Sequence, residues 1–149
     1  MPTPNPFGYH FGDIWAPIWM PGCAKISKHD IQNEASENVL IFDLGPYKDK
    51  SVDYPDYAKK LGNRIKLKKS DVGILVCGSG TGMAISANKI KTIRAAVCYN
   101  LKSTRLSRQH NNANIIALGS RLTKKKLSLK LVEVFLKTKF EGGRHLRRV

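Results

Sequence analysis

The sequence predicts an α/β fold: a single domain with a doubly wound, mostly parallel five-stranded sheet, a Rossmann-like three-layer sandwich. Three observations carry that prediction. Short apolar runs of strand character recur at Val39–Phe42, Val72–Val76, Ile93–Tyr99 and Asn114–Gly119. Between them lie stretches with the apolar spacing of amphipathic helices. The run at 72–76 passes straight into Cys77-Gly78-Ser79-Gly80-Thr81-Gly82 and then Met83-Ala84-Ile85, the pattern of strand, glycine loop and helix. Strands alternating with helices imply a parallel sheet whose ligands bind at the carboxyl ends of the strands.

Each element has a local reason. Ile14 to Met20 can form a short edge strand, in which Pro17 would remove one ladder donor. Residues 24–36 suit a helix, and Val39-Leu40-Ile41-Phe42 a strand closed by Asp43-Leu44-Gly45-Pro46. Pro55 sits where the first turn of the next helix tolerates it, and Ala58, Leu61 and Ile65 supply that helix's buried stripe. After the strand at 72–76 the loop opens a helix that runs to about Ile90. Ile93–Tyr99 is a strand, Leu101–Gln109 a short basic helix, and Asn114–Gly119 a strand. Leu127, Leu131, Val132, Phe135 and Leu136 stripe a last helix. The chain finishes in a basic tail, Glu141 to Val149.

Composition narrows the function classes. The 149 residues are enough for one domain with a proper core. Three scattered cysteines, none in a C-x-x-C pair, argue for free thiols in a reducing cytoplasm and against a disulfide framework or a zinc site. No run is long and apolar enough for a membrane span, and no lysine or arginine precedes Lys25, so a signal peptide is not expected. The formal charge of +15 raises the question of nucleic acid. The charge is spread over Lys59, Lys60, Lys66, Lys68 and Lys69 on one expected helix and over Lys124, Lys125, Lys126 and Lys130 on another, with no nucleic-acid motif beside it. A solvated face is the better reading, and such a field also draws in a phosphorylated substrate.

The loop at 77–82 is the chemical focus. Its glycines let the backbone approach a ligand, and N–H groups opening a helix favour an anion. It is neither the dinucleotide fingerprint, because Gly82 follows Gly80 too soon, nor a Walker loop, which needs Gly-Lys-Ser/Thr. Cys77 at its lip is either a buried core thiol or a base placed where negative charge is stabilised. A histidine near a helix end, such as His110, can simply cap that helix. The basic tail can be a solvated terminus.

Several segments weigh these alternatives together. They are Val76-Cys77-Gly78-Ser79-Gly80-Thr81-Gly82-Met83, Ala87-Asn88-Lys89, Ser107-Arg108-Gln109-His110-Asn111-Asn112, Leu118-Gly119-Ser120-Arg121 and Gly142-Gly143-Arg144-His145-Leu146-Arg147-Arg148-Val149. Asp43-Leu44-Gly45 and Asp53-Tyr54-Pro55 lie upstream of them. As a set they resemble ribose-5-phosphate isomerase type B, in the ribose/galactose isomerase family, over roughly residues 38–149. The resemblance implies aldose–ketose isomerisation of ribose 5-phosphate to ribulose 5-phosphate, a step of the pentose phosphate pathway, without metal or cofactor. An allose or galactose 6-phosphate isomerase is the alternative within enzymes, and a non-catalytic sugar-phosphate or polyanion binder is the alternative outside them. It further implies a homodimer, with a tetramer left open, whose active sites are shared between subunits.

Residue by residue, the resemblance makes Cys77 the base that moves a proton between neighbouring carbons, favoured as thiolate by the helix N-terminus. Backbone N–H groups from Gly78 to Gly82 (Gly80 and Thr81 among them) and the Ser79 hydroxyl would stabilise the enediolate. His110 would open the sugar ring, Asn111 would bind hydroxyls, and Arg121, Arg144 and Arg148 would hold the phosphate in a fork that lysine cannot offer. Arg147 has no counterpart, and residues 140–149 would dock at the site. The family's opening strand normally ends Ser-Asp-His-Ala-Gly, and this chain has no Asp-His there. Aligning on Gly22 places Trp19 and Met20 at those two positions. Aligning on Phe7-Gly8-Tyr9-His10-Phe11-Gly12 recovers a histidine but leaves extra residues before Asp43. An altered start of the coding sequence, a weakened or repurposed isomerase, or a substitute group such as His10 or Asp13 would each account for the atypical segment 1–22.

Overall fold

The computed structural model describes residues 26–35, 39–47 and 52–149 in full, and the backbone alone of the strand at 14–16. In chain order the elements are strand β1 (Ile14–Ala16), helix α1 (Lys28–Glu34), β2 (Ile41–Asp43), α2 (Tyr54–Lys66), β3 (Val72–Cys77), α3 (Thr81–Asn88), β4 (Ala95–Val97), α4 (Leu101–Gln109), β5 (Ile115–Gly119) and α5 (Lys125–Lys137), then a 3-10 turn over Gly143–Arg148. The sheet order is β2-β1-β3-β5-β4, and every pairing is parallel.

A parallel α/β sheet is therefore what the alternating pattern produces. Several bounds differ from the sequence expectation. β2 begins two residues later than the apolar run, α1 is shorter than 24–36, and β4 occupies only the middle of 93–99. Lys68 and Lys69 fall in the turn after α2, and Lys124 is the cap of α5, so neither helix carries its full expected set of lysines. β1 is not at an edge. Over Ile14–Ala16 it pairs with β2 on one side and β3 on the other, and Pro17 lies outside the described residues.

Alternation along β3 divides the core. Val72, Ile74 and Val76 join Ile31, Leu131, Val132 and Phe135 under α1 and α5. Leu75 and Cys77 join Ala58, Leu61, Ile65, Met83 and Ala87 under α2 and α3. Successive strand side chains point to opposite faces, so a fully buried strand with helices on both sides reads as a continuous apolar run. Gly73 is part of that run because the side chain of Leu61 sits where its Cβ would be, at 2.6 Å.

The outer helices are fixed by caps. Ser27 and Asp30 form a reciprocal capping box at the start of α1: the Ser27 N–H donates to Asp30 Oδ2 at 2.7 Å, and the Asp30 N–H to Ser27 Oγ at 3.1 Å. Lys125 reaches the same carboxylate at 2.8 Å, tying α1 to the first turn of α5. The Lys125 ammonium first, and then the Ser27 N–H, hold the Asp30 carboxyl down at about 2. Cys77 and Cys98 are free thiols and buried, while Cys23 lies outside the described residues. Among the described residues no helix is long and apolar enough to cross a membrane.

Candidate active site

Cys77 ends β3, and its register partner Gly119 ends β5, so the glycine loop stands at the carboxyl edge of the sheet. The loop is held by close backbone packing. A Cβ on Gly119 would meet the Ser79 carbonyl oxygen at 2.7 Å, and Gly80, the cap of α3, takes φ +80° against the backbone of Leu118. The turn after β5 adds hydrogen bonds. The Ser120 N–H donates to the Cys77 carbonyl at 2.8 Å, and the Arg121 N–H to the Gly78 carbonyl at 3.1 Å. The Arg121 guanidinium then lies alongside Gly78, where a Cβ would come within 3.5 Å of it. Tyr99 donates its hydroxyl to the Ser79 carbonyl at 3.5 Å.

Cys77 is both buried in the core and in contact with the loop. A thiol before Gly-Ser-Gly is not expected in a core, yet Cys77 is only 6% exposed and packs with Leu75 and Met83. It is the last inward-facing residue of β3, so its Cβ belongs to the core while Sγ meets the loop. The Gly80 N–H donates to that Sγ at 3.1 Å. The Gly80 N–H is therefore turned toward the sulfur rather than into an oxyanion hole. The Thr81 N–H is likewise turned to Ser79 Oγ at 3.3 Å. Among the described residues the N–H groups of Gly78, Ser79 and Gly82 have no acceptor, and these are the donors a bound oxyanion can use.

A second group of expected site residues lies elsewhere. α4 starts at its cap Asn100, whose side chain accepts the Ser103 N–H, and runs back across the sheet to His110. His110 does cap α4, its N–H donating to the Leu106 carbonyl at 2.9 Å. Its ring also stacks on that of His145, 4.2 Å between centroids and 11° from parallel. Glu141 Oε2 lies 3.9 Å from His110 Nε2. The tail is docked: the Glu141 N–H donates to the Gln109 carbonyl at 3.1 Å, and Arg94 bonds the carbonyls of Asn111 and Val149. His145 is buried, and burial first, then the charges of His110, Arg144 and Arg148, hold its pKa below the usual histidine range. Arg144, Arg148 and Asn111 are exposed beside this pair.

The two groups are at opposite edges of the sheet. Arg94, Asn111 and Asn114 gather at the amino ends of β4 and β5, because the Asn114 N–H donates to the Arg94 carbonyl at 3.0 Å. From Gly73, beside Ile115, to Cys77 is four residue steps, about 13 Å along the strand. Among the described residues no hydrogen bond, ion pair or ring contact joins the Cys77 loop to His110 or the tail. One chain thus brings together Cys77, Ser79, the glycines, Thr81 and Arg121, and separately His110, Asn111, Arg144 and Arg148. Sequence reasoning expected these residues in sites shared between subunits, without assigning each residue to one half or the other. It also passed over Glu141 and His145 as partners of His110, for which their presence in the same terminal motif was the available signal. The expectations on residues 1–22 fall outside the described residues, apart from the β1 backbone.

Residues 24–149 match the family described as Ribose/Galactose Isomerase. Over 132 residues the chain is 42% identical to the Escherichia coli protein named ribose-5-phosphate isomerase B, covering 86% of this chain and 89% of that one. The type B ribose 5-phosphate isomerase of Trypanosoma brucei superposes with a TM-score of 0.85 at 35% identity, covering 92% of this chain and 93% of that chain. The Mycoplasma genitalium ribose-5-phosphate isomerase B, solved with bound ribulose-5-phosphate, superposes at 0.82 with 37% identity over 91% of this chain and 90% of that one.

Proposed function

Since the chain belongs to the ribose/galactose isomerase family, a group of sugar-phosphate aldose–ketose isomerases, we propose that it interconverts ribose 5-phosphate and ribulose 5-phosphate at a site completed by a second copy of itself. The separation of Cys77 from His110 across the sheet is the observation that carries the second half of the proposal. A two-fold dimer can set the carboxyl edge of one subunit against the amino edge of the other, and so use each half twice.

In this reading the sugar phosphate is drawn in by a positive surface and its ring is opened by His110 of the partner subunit. Asn111 of the partner subunit holds a sugar hydroxyl. Arg144 and Arg148 of the partner subunit bind the phosphate as bidentate cations, with Arg121 beside Gly78 contributing from the first chain. The Cys77 thiolate takes the proton from C2 and returns it to C1, while the charge passes through an enediolate. The free N–H groups of Gly78, Ser79 and Gly82, with the Ser79 hydroxyl, face that charge. Thr81 and Gly80 have the different task of setting the loop, since their N–H groups are spent on Ser79 and Cys77. Desolvation of the substrate between two subunits strengthens each of these interactions.

The Gly22 alignment of the atypical N-terminus gains support from β1, because a strand at 14–16 stands shortly before Trp19 and Met20. With Trp and Met replacing a polar pair, the segment loses sugar contacts rather than the proton shuttle, so KM rises more than kcat falls. The test is ribulose 5-phosphate formation from ribose 5-phosphate by the purified chain, with Cys77→Ala alongside. Turnover that vanishes in the variant supports the proposal. Turnover retained in the variant removes Cys77 as the base. Turnover on a six-carbon 6-phosphate, with none on ribose 5-phosphate, would replace the substrate.

A further inference from the structure

We propose that His110, Glu141 and His145 together form a binding site for a borderline divalent cation such as Zn2+, at the junction of α4 and the C-terminal turn. One imidazole nitrogen from each histidine and one carboxylate oxygen lie within 4.8 Å of one another. Two histidines and one carboxylate are a common donor set for zinc with open positions. Nitrogen donors favour zinc and its neighbours over magnesium or calcium, which prefer oxygen cages.

The geometry says what must move. Zinc bonds nitrogen and carboxylate oxygen at about 2.0–2.2 Å, so tetrahedral donors sit roughly 3.4 Å apart and these three must close inward. A metal also lies in the plane of each ligating ring, so the stacked imidazoles must fan open from 11°. The chain has the slack to do both. Gly142 and Gly143 follow Glu141 directly, and a Cβ on either would meet nothing within 4 Å. Glu141 is exposed, and its backbone is held to α4 by the bond to the Gln109 carbonyl. A bound cation would therefore clip the tail to α4. Arg144 and Arg148 act electrostatically on His145 and oppose any cation there, so binding has to come from the three ligands, the one such cluster among the described residues. Binding stands independently of the isomerase reading. An occupied site would also tie up His110, and that consequence alone rests on the ring-opening role proposed above.

The test is a titration of the full chain with zinc chloride against a chromophoric chelator, repeated with Glu141→Gln and His145→Gln. Glu141 is exposed, so its variant keeps the fold even if the buried His145 variant does not. Removing an outer-shell partner alone typically weakens metal binding by about tenfold or more. The proposal expects one zinc per chain and at least that loss in Glu141→Gln. It expects magnesium not to compete. A cobalt spectrum should lack the thiolate charge-transfer band that ligation by a cysteine would produce. No saturable zinc binding, unchanged affinity in Glu141→Gln, or a thiolate band would overturn it.

Discussion

The two halves of the candidate site are built by opposite means. The Cys77 loop is locked by contact: Gly119 lies against the Ser79 carbonyl, Gly80 against Leu118, and Cys77 within the core. The tail is also rich in glycine, but a Cβ on Gly142 or Gly143 would touch nothing. There the glycines serve positive φ, +66° and +56°, and not close approach. The half expected to hold a developing charge is rigid, as preorganised stabilisation requires. The half expected to grip and release a phosphate is held by Arg94, Glu141 and one ring stack. Proton transfer tolerates little misplacement, whereas an arginine on a pliant turn can follow its substrate.

That contrast gives an order of effects. Cys77→Ala should cost about 10²–10⁴ in kcat with KM little changed, the range for loss of an acid–base group. A drop confined to KM would place Cys77 in binding instead. Gly119→Ala comes next. Overpacking a fitted site typically costs about 1–3 kcal/mol, and here the obstacle is backbone that cannot swing away. Denaturant unfolding should show that loss, and an unaffected midpoint would mean that the loop is less fixed than its contacts imply. Gly142→Ala should cost about 1–3 kcal/mol, the penalty of a sparsely populated backbone angle (φ +66°, ψ −131°) without a clash. It should raise KM along with that loss, and an unchanged KM would mean that the tail does not grip the substrate.

The smallest effect concerns pH. The folded chain holds the pKa of His145 below its ordinary 6.5, so the folded state takes up a proton less readily than the unfolded one. Stability is then full above pH 6.5 and declines as pH falls through 6.5 toward the lowered folded value. Unfolding midpoints at successive pH values should show this decline, and His145→Gln should flatten it. An equal slope in the variant would assign the decline to other groups.

The sequence made the fold legible because both of its periods are clean. Val72–Val76 is apolar throughout, as a strand covered on both faces must be, and Ala58, Leu61 and Ile65 keep helical spacing. The inner place of β1, between β2 and β3, was not legible, because a short run beside a proline reads as an edge strand. The glycine loop was legible as an anion cradle, but the destination of each N–H was not. That Gly80 serves the Cys77 sulfur goes with a φ of +80°, which the alternating glycines 78, 80 and 82 permit but do not specify. The splitting of the site follows from the direction of α4. A helix leaving the carboxyl end of one strand must return to the amino end of the next, so a residue at its end stands opposite the loop. A site shared between subunits was legible from the resemblance, but that His110 falls on the half opposite Cys77 was not, because motif matching records order along the chain and not position across a sheet.

The most direct measurement mixes two separately inactive chains, Cys77→Ala and His110→Asn, after partial denaturation and refolding together. If sites are shared, a mixed two-fold dimer holds one intact site out of two, and random mixing makes half of all dimers mixed, so activity should return to about a quarter of the unmodified level. If mixed dimers form and activity stays at the level of the separate variants, Cys77 and His110 do not work across subunits and the account fails.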